Sequence, residues 1–221
     1  MYPWDESDAS TSARIDDNLE QLLIQLPQEA LLEDIEDPLE LARAWHRSTL
    51  EGVALEEPDV AGGFRGEGSP TSRLRTYEVV VGRGVIGANL ACVPHTEVSN
   101  ELMRFARQLT AKLKRLEDRI PLRGNIGVTS HGETATLKCA AWIHGEWIRI
   151  HPFADGNGRT ARIWCNWILL RFGQPPLVGL RPRPEGRPHG GQTLYDAAAI
   201  QSMAGSHFLM EVYLREELDA F

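Results

Sequence analysis

His151-Pro152-Phe153-Ala154-Asp155-Gly156-Asn157-Gly158-Arg159-Thr160-Ala161-Arg162 gathers an imidazole, a carboxylate, a glycine-flanked turn and two guanidinium groups into one short stretch. Gly156 and Gly158 let the backbone approach a ligand closely, and the apolar run Ile163 to Leu170 that follows reads as a helix. The turn then lies at a helix N-terminus, where amide N–H groups and the positive end of the helix dipole favour an anion. The chemistry this suggests is phosphate handling.

Each residue type has a role if the ligand is a nucleoside triphosphate. The His151 imidazole, with an ordinary pKa of about 6.5, is substantially neutral at cellular pH and can take a proton from a hydroxyl attacking phosphorus. Asp155 supplies a hard oxygen for Mg2+, which is commonly held by one or two carboxylates plus phosphates and waters. Arg159 and Arg162 fall on the first helical turns, where planar forks can grip the remaining phosphate oxygens. Pro152 and Phe153 are expected to be structural, locking the approach to the turn by packing inward. Singly, a Gly-Asn-Gly turn, a His before Pro, or arginines at helical spacing are ordinary structural features. Their combination in fixed order is what reads as a reaction site.

The elements that must position this stretch are mostly helical. Leu19, Leu22, Leu23 and Leu26 recur at helical spacing from about Asn18 to Pro27, and a longer helix from Pro38 carries Leu39, Leu41, Ala42 and Trp45. Glu97 to Leu116 places Leu102, Phe105, Ala106, Leu109 and Leu113 on one side, and a helix from about Thr134 to Arg149 delivers the chain into the site. Between them, Thr76 to Val93 alternates around Gly82-Arg83-Gly84, a β-hairpin signal. Residues 1 to about 17 are polar, acidic and rich in Ser and Asp, the composition of a loose arm. The segments around Pro121 and Gly124 and from Arg181 to Gly191 read as loops. Trp142, Trp147, Trp164 and Trp167 flank the site, and aromatics at this spacing beside an apolar helix are read as core.

The stretch from His151 resembles the signature of the Fic family, His-Pro-Phe-x-(Asp/Glu)-Gly-Asn-Gly-Arg-x-x-Arg, with every specified position filled. Upstream, His46, Leu50, the Ala61-Gly62-Gly63-Phe64-Arg65 segment with one extra glycine, and Arg75 resemble the family's early helix and turn. Downstream, Leu169 to Leu177 and Tyr195 resemble its closing helices, so the likeness runs over roughly residues 40 to 218. The resemblance implies a mainly α fold, a Fic-type helical bundle with a small β-hairpin flap, in which residues 1–36 form an N-terminal arm and short helix of regulatory character and residues 37–221 the Fic domain.

The resemblance also implies transfer of a nucleotidyl group, most often AMP from ATP, to a Ser, Thr or Tyr hydroxyl of a target protein, with pyrophosphate leaving. His151 would deprotonate the hydroxyl and Asp155 would hold Mg2+. Gly156, Asn157, Gly158 and Arg159 would bind the phosphates, and Arg162 would orient the γ-phosphate. The target would dock along the flap, about residues 76–93, by strand addition. Phosphoryl transfer, or transfer of another phosphate-linked group, stays open on the same fold, as does a nucleotide-binding regulator or toxin module without turnover. Many relatives carry an inhibitory helix of the form (Ser/Thr)-x-x-x-Glu-(Gly/Asn). Here Ser12-Ala13-Arg14-Ile15-Asp16-Asp17 has the spacing with Asp for Glu, so either Asp16 is a weakened brake on Arg162 or the brake is a separate small antitoxin-type protein.

Global composition is compatible with a small enzyme. A chain of 221 residues is long enough for one well-buried core, and a net charge of −8 argues against a dedicated nucleic-acid binder. Cys92, Cys139 and Cys165 are odd in number and widely spaced, so they are read as small buried hydrophobes. No apolar stretch approaches membrane-spanning length and the N-terminus lacks the pattern of a signal peptide, which implies a cytoplasmic site of synthesis and leaves delivery into another cell open.

Overall fold

The structure, a computed structural model, describes residues 8–32, 35–81, 90–120, 130–179 and 193–221. The described chain is mainly α. In order it forms α1 (Ala9–Ala30), α2 (Pro38–Thr49), two short 3-10 turns, strands β1 (Val80–Val81) and β2 (Leu90–Ala91), then α3 (Val98–Glu117), α4 (Ser130–Ile150), α5 (Asn157–Arg171), α6 (Leu194–Met203) and α7 (Phe208–Ala220).

The core is built around α5, whose residues from Asn157 to Leu169 are buried apart from Gly158. A helix buried on all sides needs neighbours on all sides, and α1, α2 and α4 pack against it. Trp147, Trp164 and Trp167 have no exposed surface, and Trp45 stands edge-on to Trp164 at 4.7 Å between ring centroids. The core reading of the tryptophans therefore holds for these three, with Trp142 half-buried and stacked on Phe105. All three cysteines are buried and free.

The N-terminal expectation is corrected. Order begins well before Asn18 and does not stop at Pro27: α1 runs from Ala9 to Ala30 with Pro27 inside it. Asp8 caps the start by accepting from the Thr11 amide at 2.8 Å. Ile15 extends the buried stripe of Leu19, Leu22, Leu26 and Ala30 into the same hydrophobic cluster as the other helices. Proline removes one helical hydrogen bond and crowds the preceding turn, but tertiary contacts hold the last turn. Arg171 donates to the carbonyls of Ala30 and Leu32 at 3.1 and 2.6 Å, and Trp45 Nε1 donates to Glu29 at 2.7 Å.

The other helices keep close to their expected bounds, with α4 starting at Ser130, four residues earlier than its periodicity suggested. Within Thr76 to Val93, β1 pairs antiparallel with β2 in the register Val80 to Ala91 and Val81 to Leu90. Gly82-Arg83-Gly84 and the two loops expected around Pro121 and from Arg181 to Gly191 lie outside the described residues.

Candidate active site

His151 ends α4 in a left-handed conformation, φ +54, alone among described non-glycine residues. Such a backbone costs about 1 kcal/mol or more and persists only where surroundings enforce it. Here they do. Its amide donates to Trp147 at 2.9 Å, and its carbonyl accepts from Arg65 Nε at 2.7 Å. The ring Nδ1 lies 3.1 Å from the carbonyl oxygen of Ile148. A carbonyl only accepts, so Nδ1 carries the proton and Nε2 presents its lone pair. Burial, with the Arg65 charge behind it, pushes the imidazole down to about 4 and keeps it neutral at pH 7, while the Ile148 carbonyl pulls the other way.

The turn after His151 is closed by Asn157. Its Oδ1 accepts from the Phe153 amide at 2.9 Å and its Nδ2 donates to the Phe153 carbonyl at 2.8 Å. Gly156 adopts φ +78, and a Cβ there would stand 2.9 Å from His46 Nε2, so glycine is required twice over. Asp155 Oδ1 accepts from the Gly156 amide at 2.6 Å. Helix α5 starts at Asn157, so the first amides of this helix point back toward the turn.

Arg159 and Arg162 both fold back toward the turn. Arg159 Nη2 and Arg162 Nη1 lie 3.6 and 3.4 Å from the points where a Cβ on Gly156 and on Gly158 would stand. Two cations, the α5 N-terminus and the Asp155 carboxylate thus meet around three small residues. A single carboxylate suits Mg2+ that takes its other ligands from phosphate and water.

The support for this turn comes from residues distant in sequence. His46 is 2% exposed and stacks on Phe153 at 3.9 Å, nearly parallel. Its Nδ1 accepts from the Gly62 amide at 3.0 Å, so Nε2 carries the proton and donates to the Asp155 carbonyl at 3.1 Å. Burial holds this ring far below the usual histidine range, at about 3. Arg65, 1% exposed, donates its backbone amide to the Pro152 carbonyl at 2.7 Å. Behind the second arginine, Arg162 Nη1 donates to the Tyr195 hydroxyl at 3.1 Å, which in turn lies 2.9 Å from His144 Nε2.

All the signature residues are thus brought to one place: His151, Asp155, Gly156, Asn157, Gly158, Arg159 and Arg162 around the turn, with Pro152 and Phe153 buried beneath it. Asp16 lies on α1, half-buried, two residues before Asn18, whose amide donates to the carbonyls of Thr49 and Glu51 at the end of α2. Residue-type reasoning missed the work of His46, Arg65, His144 and Tyr195. Only their appearance beside motif-like segments marked His46, Arg65 and Tyr195, and nothing marked His144.

The model of the Fic/DOC family matches residues 36–169. The chain is 50% identical over 42 residues to a protein adenylyltransferase Fic of Aedes aegypti and 52% over 42 residues to one of Nematostella vectensis, each match covering 19% of this chain. It spans only 8% and 10% of the length of these two curated relatives. Among solved structures, a Fic-domain-containing signaling protein of Bacteroides thetaiotaomicron matches with a TM-score of 0.57 at 19% identity, covering 96% of this chain and 73% of that one. The BepC effector protein of Bartonella tribocorum, solved with bound AMPPNP, matches with a TM-score of 0.58 at 16% identity, over 92% of this chain and 86% of that one. These two likenesses are of fold.

Proposed function

This chain belongs to the Fic/DOC family, and from that premise we propose that it is a protein nucleotidyltransferase, moving AMP from ATP to a Ser, Thr or Tyr hydroxyl of a target protein. The observation that carries the reading is the neutral His151 ring, its Nδ1 proton fixed by Ile148, set immediately before a glycine turn over which two guanidinium groups fold.

The triphosphate lies against the first amides of α5, where the helix dipole and the Arg159 and Arg162 forks offset its charge. Arg162 takes the γ-phosphate end. Asp155 would hold Mg2+, which when bound neutralises charge on the phosphate oxygens. His151 Nε2 accepts the proton of the acceptor hydroxyl as its oxygen bonds to the α-phosphorus, the bond to the bridging oxygen breaks, and pyrophosphate departs. A base that is neutral at working pH and already oriented needs no rearrangement for this step. The adenine choice draws on the AMPPNP in the Bartonella relative and on the relatives' adenylyltransferase names.

Labelling separates this reading from phosphoryl transfer. With ATP carrying a radioactive α-phosphate, label is expected on protein. Label retained from the γ-phosphate instead would show that the terminal phosphate is transferred and overturn the proposal.

A further inference from the structure

The guanidinium of Arg65 joins three parts of the chain that are far apart in sequence. Nε donates to the carbonyl of His151 at 2.7 Å, and Nη2 donates to the carbonyls of Ile150 at 2.9 Å and Val93 at 2.7 Å. Nη1 reaches the Tyr77 carbonyl at 3.2 Å and the Glu78 carboxylate at 3.3 Å. Every N–H of the fork is therefore engaged. Tyr77 lies three residues before β1 and Val93 two residues after β2, so one side chain grips both legs of the paired strands and the backbone of the candidate base.

Two further contacts tighten the same junction. The amide of Val93 donates to the Arg149 carbonyl at 3.4 Å, hooking the second leg onto the last turn of α4. The Glu78 carboxylate accepts from the His95 amide at 3.3 Å and meets His95 Nδ1 at 2.6 Å, which buckles one leg to the other. Burying a guanidinium opposes its charge, and the pKa of Arg65 is lowered by burial accordingly. A residue needed only for packing would be apolar at this position. The planar fork offers fixed geometry that lysine does not.

We infer that Arg65 is a positioning residue for the acceptor: it sets the distance and angle between a segment paired with the β1–β2 strands and the His151 imidazole. The inference rests on the nucleotidyl-transfer reading above. An error of about 1 Å between reacting groups costs roughly 100-fold in rate, so holding the acceptor's docking edge and the base on one rigid side chain has a direct kinetic effect. Water, which reaches the α-phosphorus without docking on the strands, does not depend on that registration.

The test uses the whole chain with Mg2+ and ATP labelled in the α-phosphate, and scores label on the chain itself and on extended Ser-, Thr- and Tyr-bearing synthetic peptides against free AMP released to water. In Arg65→Lys the ratio of protein-bound label to free AMP is expected to fall by roughly 10- to 100-fold, and in Glu78→Gln, where the fork and its carbonyl contacts remain, by a smaller factor. A purely structural role would lower both products together with the folded fraction, leaving the ratio unchanged and overturning the inference. If the wild-type chain yields neither product, the nucleotidyl-transfer reading fails on its own account. Amide exchange then decides whether the clamp acts: faster exchange at Val80, Val81, Leu90 and Ala91 in Arg65→Lys supports it, and unchanged exchange overturns it.

Discussion

Nη1 of Arg162 donates to the Tyr195 hydroxyl at 3.1 Å, and that hydroxyl lies within hydrogen-bond distance of His144 Nε2 at 2.9 Å. Burial, with the Arg162 and His207 charges, pushes His144 down to about 3, so the ring is neutral and the hydroxyl bridges a guanidinium and an uncharged imidazole. Tyr195→Phe removes the shared oxygen and leaves two buried groups short of a partner, at a cost of about 1–3 kcal/mol in stability. Because Arg162 is assigned to the γ-phosphate, KM for ATP is expected to rise about tenfold with kcat less affected. Initial rates against ATP concentration check this. An unchanged KM would contradict the assignment.

His151 predicts the shape of the pH–rate profile. With its pKa lowered to about 4 in the free protein, the ring is neutral throughout the physiological range. The kcat/KM of transfer should rise as pH climbs through about 4 and be flat from about 6 to 8. An acid limb centred near 6.5 that is lost on mutating His151 would show an unperturbed base and a different environment.

Acid should destabilise the fold earlier than carboxylate titration alone would. His46 and His144, 2% and 0% exposed, have folded-state pKa values of about 3, well below the ordinary value of about 6.5. The unfolded chain then binds protons that the folded chain refuses, so stability is full above about pH 6.5 and falls as pH drops toward 3. Two such groups give a slope of at most roughly 3 kcal/mol per pH unit. Thermal unfolding between pH 7 and 4.5 measures it. His46→Gln, which can keep an N–H toward Asp155 without titrating, should flatten the slope, and an equally steep curve would contradict the linkage.

The signature was legible because its residues are contiguous and each type has a chemical reason to be there. Helix faces such as Leu102, Phe105 and Leu109 were legible through their spacing. What escaped was set by distance along the chain. The turn depends on His46, 109 residues from Asp155, and on Arg65, 86 residues from His151. No local pattern announces such contacts. The left-handed backbone at His151 was equally hidden, because histidine gives no sign of positive φ as glycine does. The reach of α1 past Pro27 was misread because a local breaker was given more weight than Arg171 and Trp45, which hold the final turn.

Asp16 is the candidate internal brake. It lies on α1 beside Asn18, which fastens that helix to the end of α2, the helix that carries His46. Asp16→Ala is expected to raise transfer by the isolated chain several-fold if the carboxylate restrains Arg162. An unchanged rate would assign the brake to a separate small protein.

The central claim is that His151 drives transfer of a nucleotidyl group. Intact-protein mass spectrometry of the purified chain, incubated with Mg2+ and each nucleoside triphosphate in turn beside His151→Ala, tests it without knowledge of the target. The account predicts a gain of one adenylyl group with ATP in the wild-type chain and none in His151→Ala. A phosphate-sized gain, or an adenylyl gain that persists in His151→Ala, would contradict it.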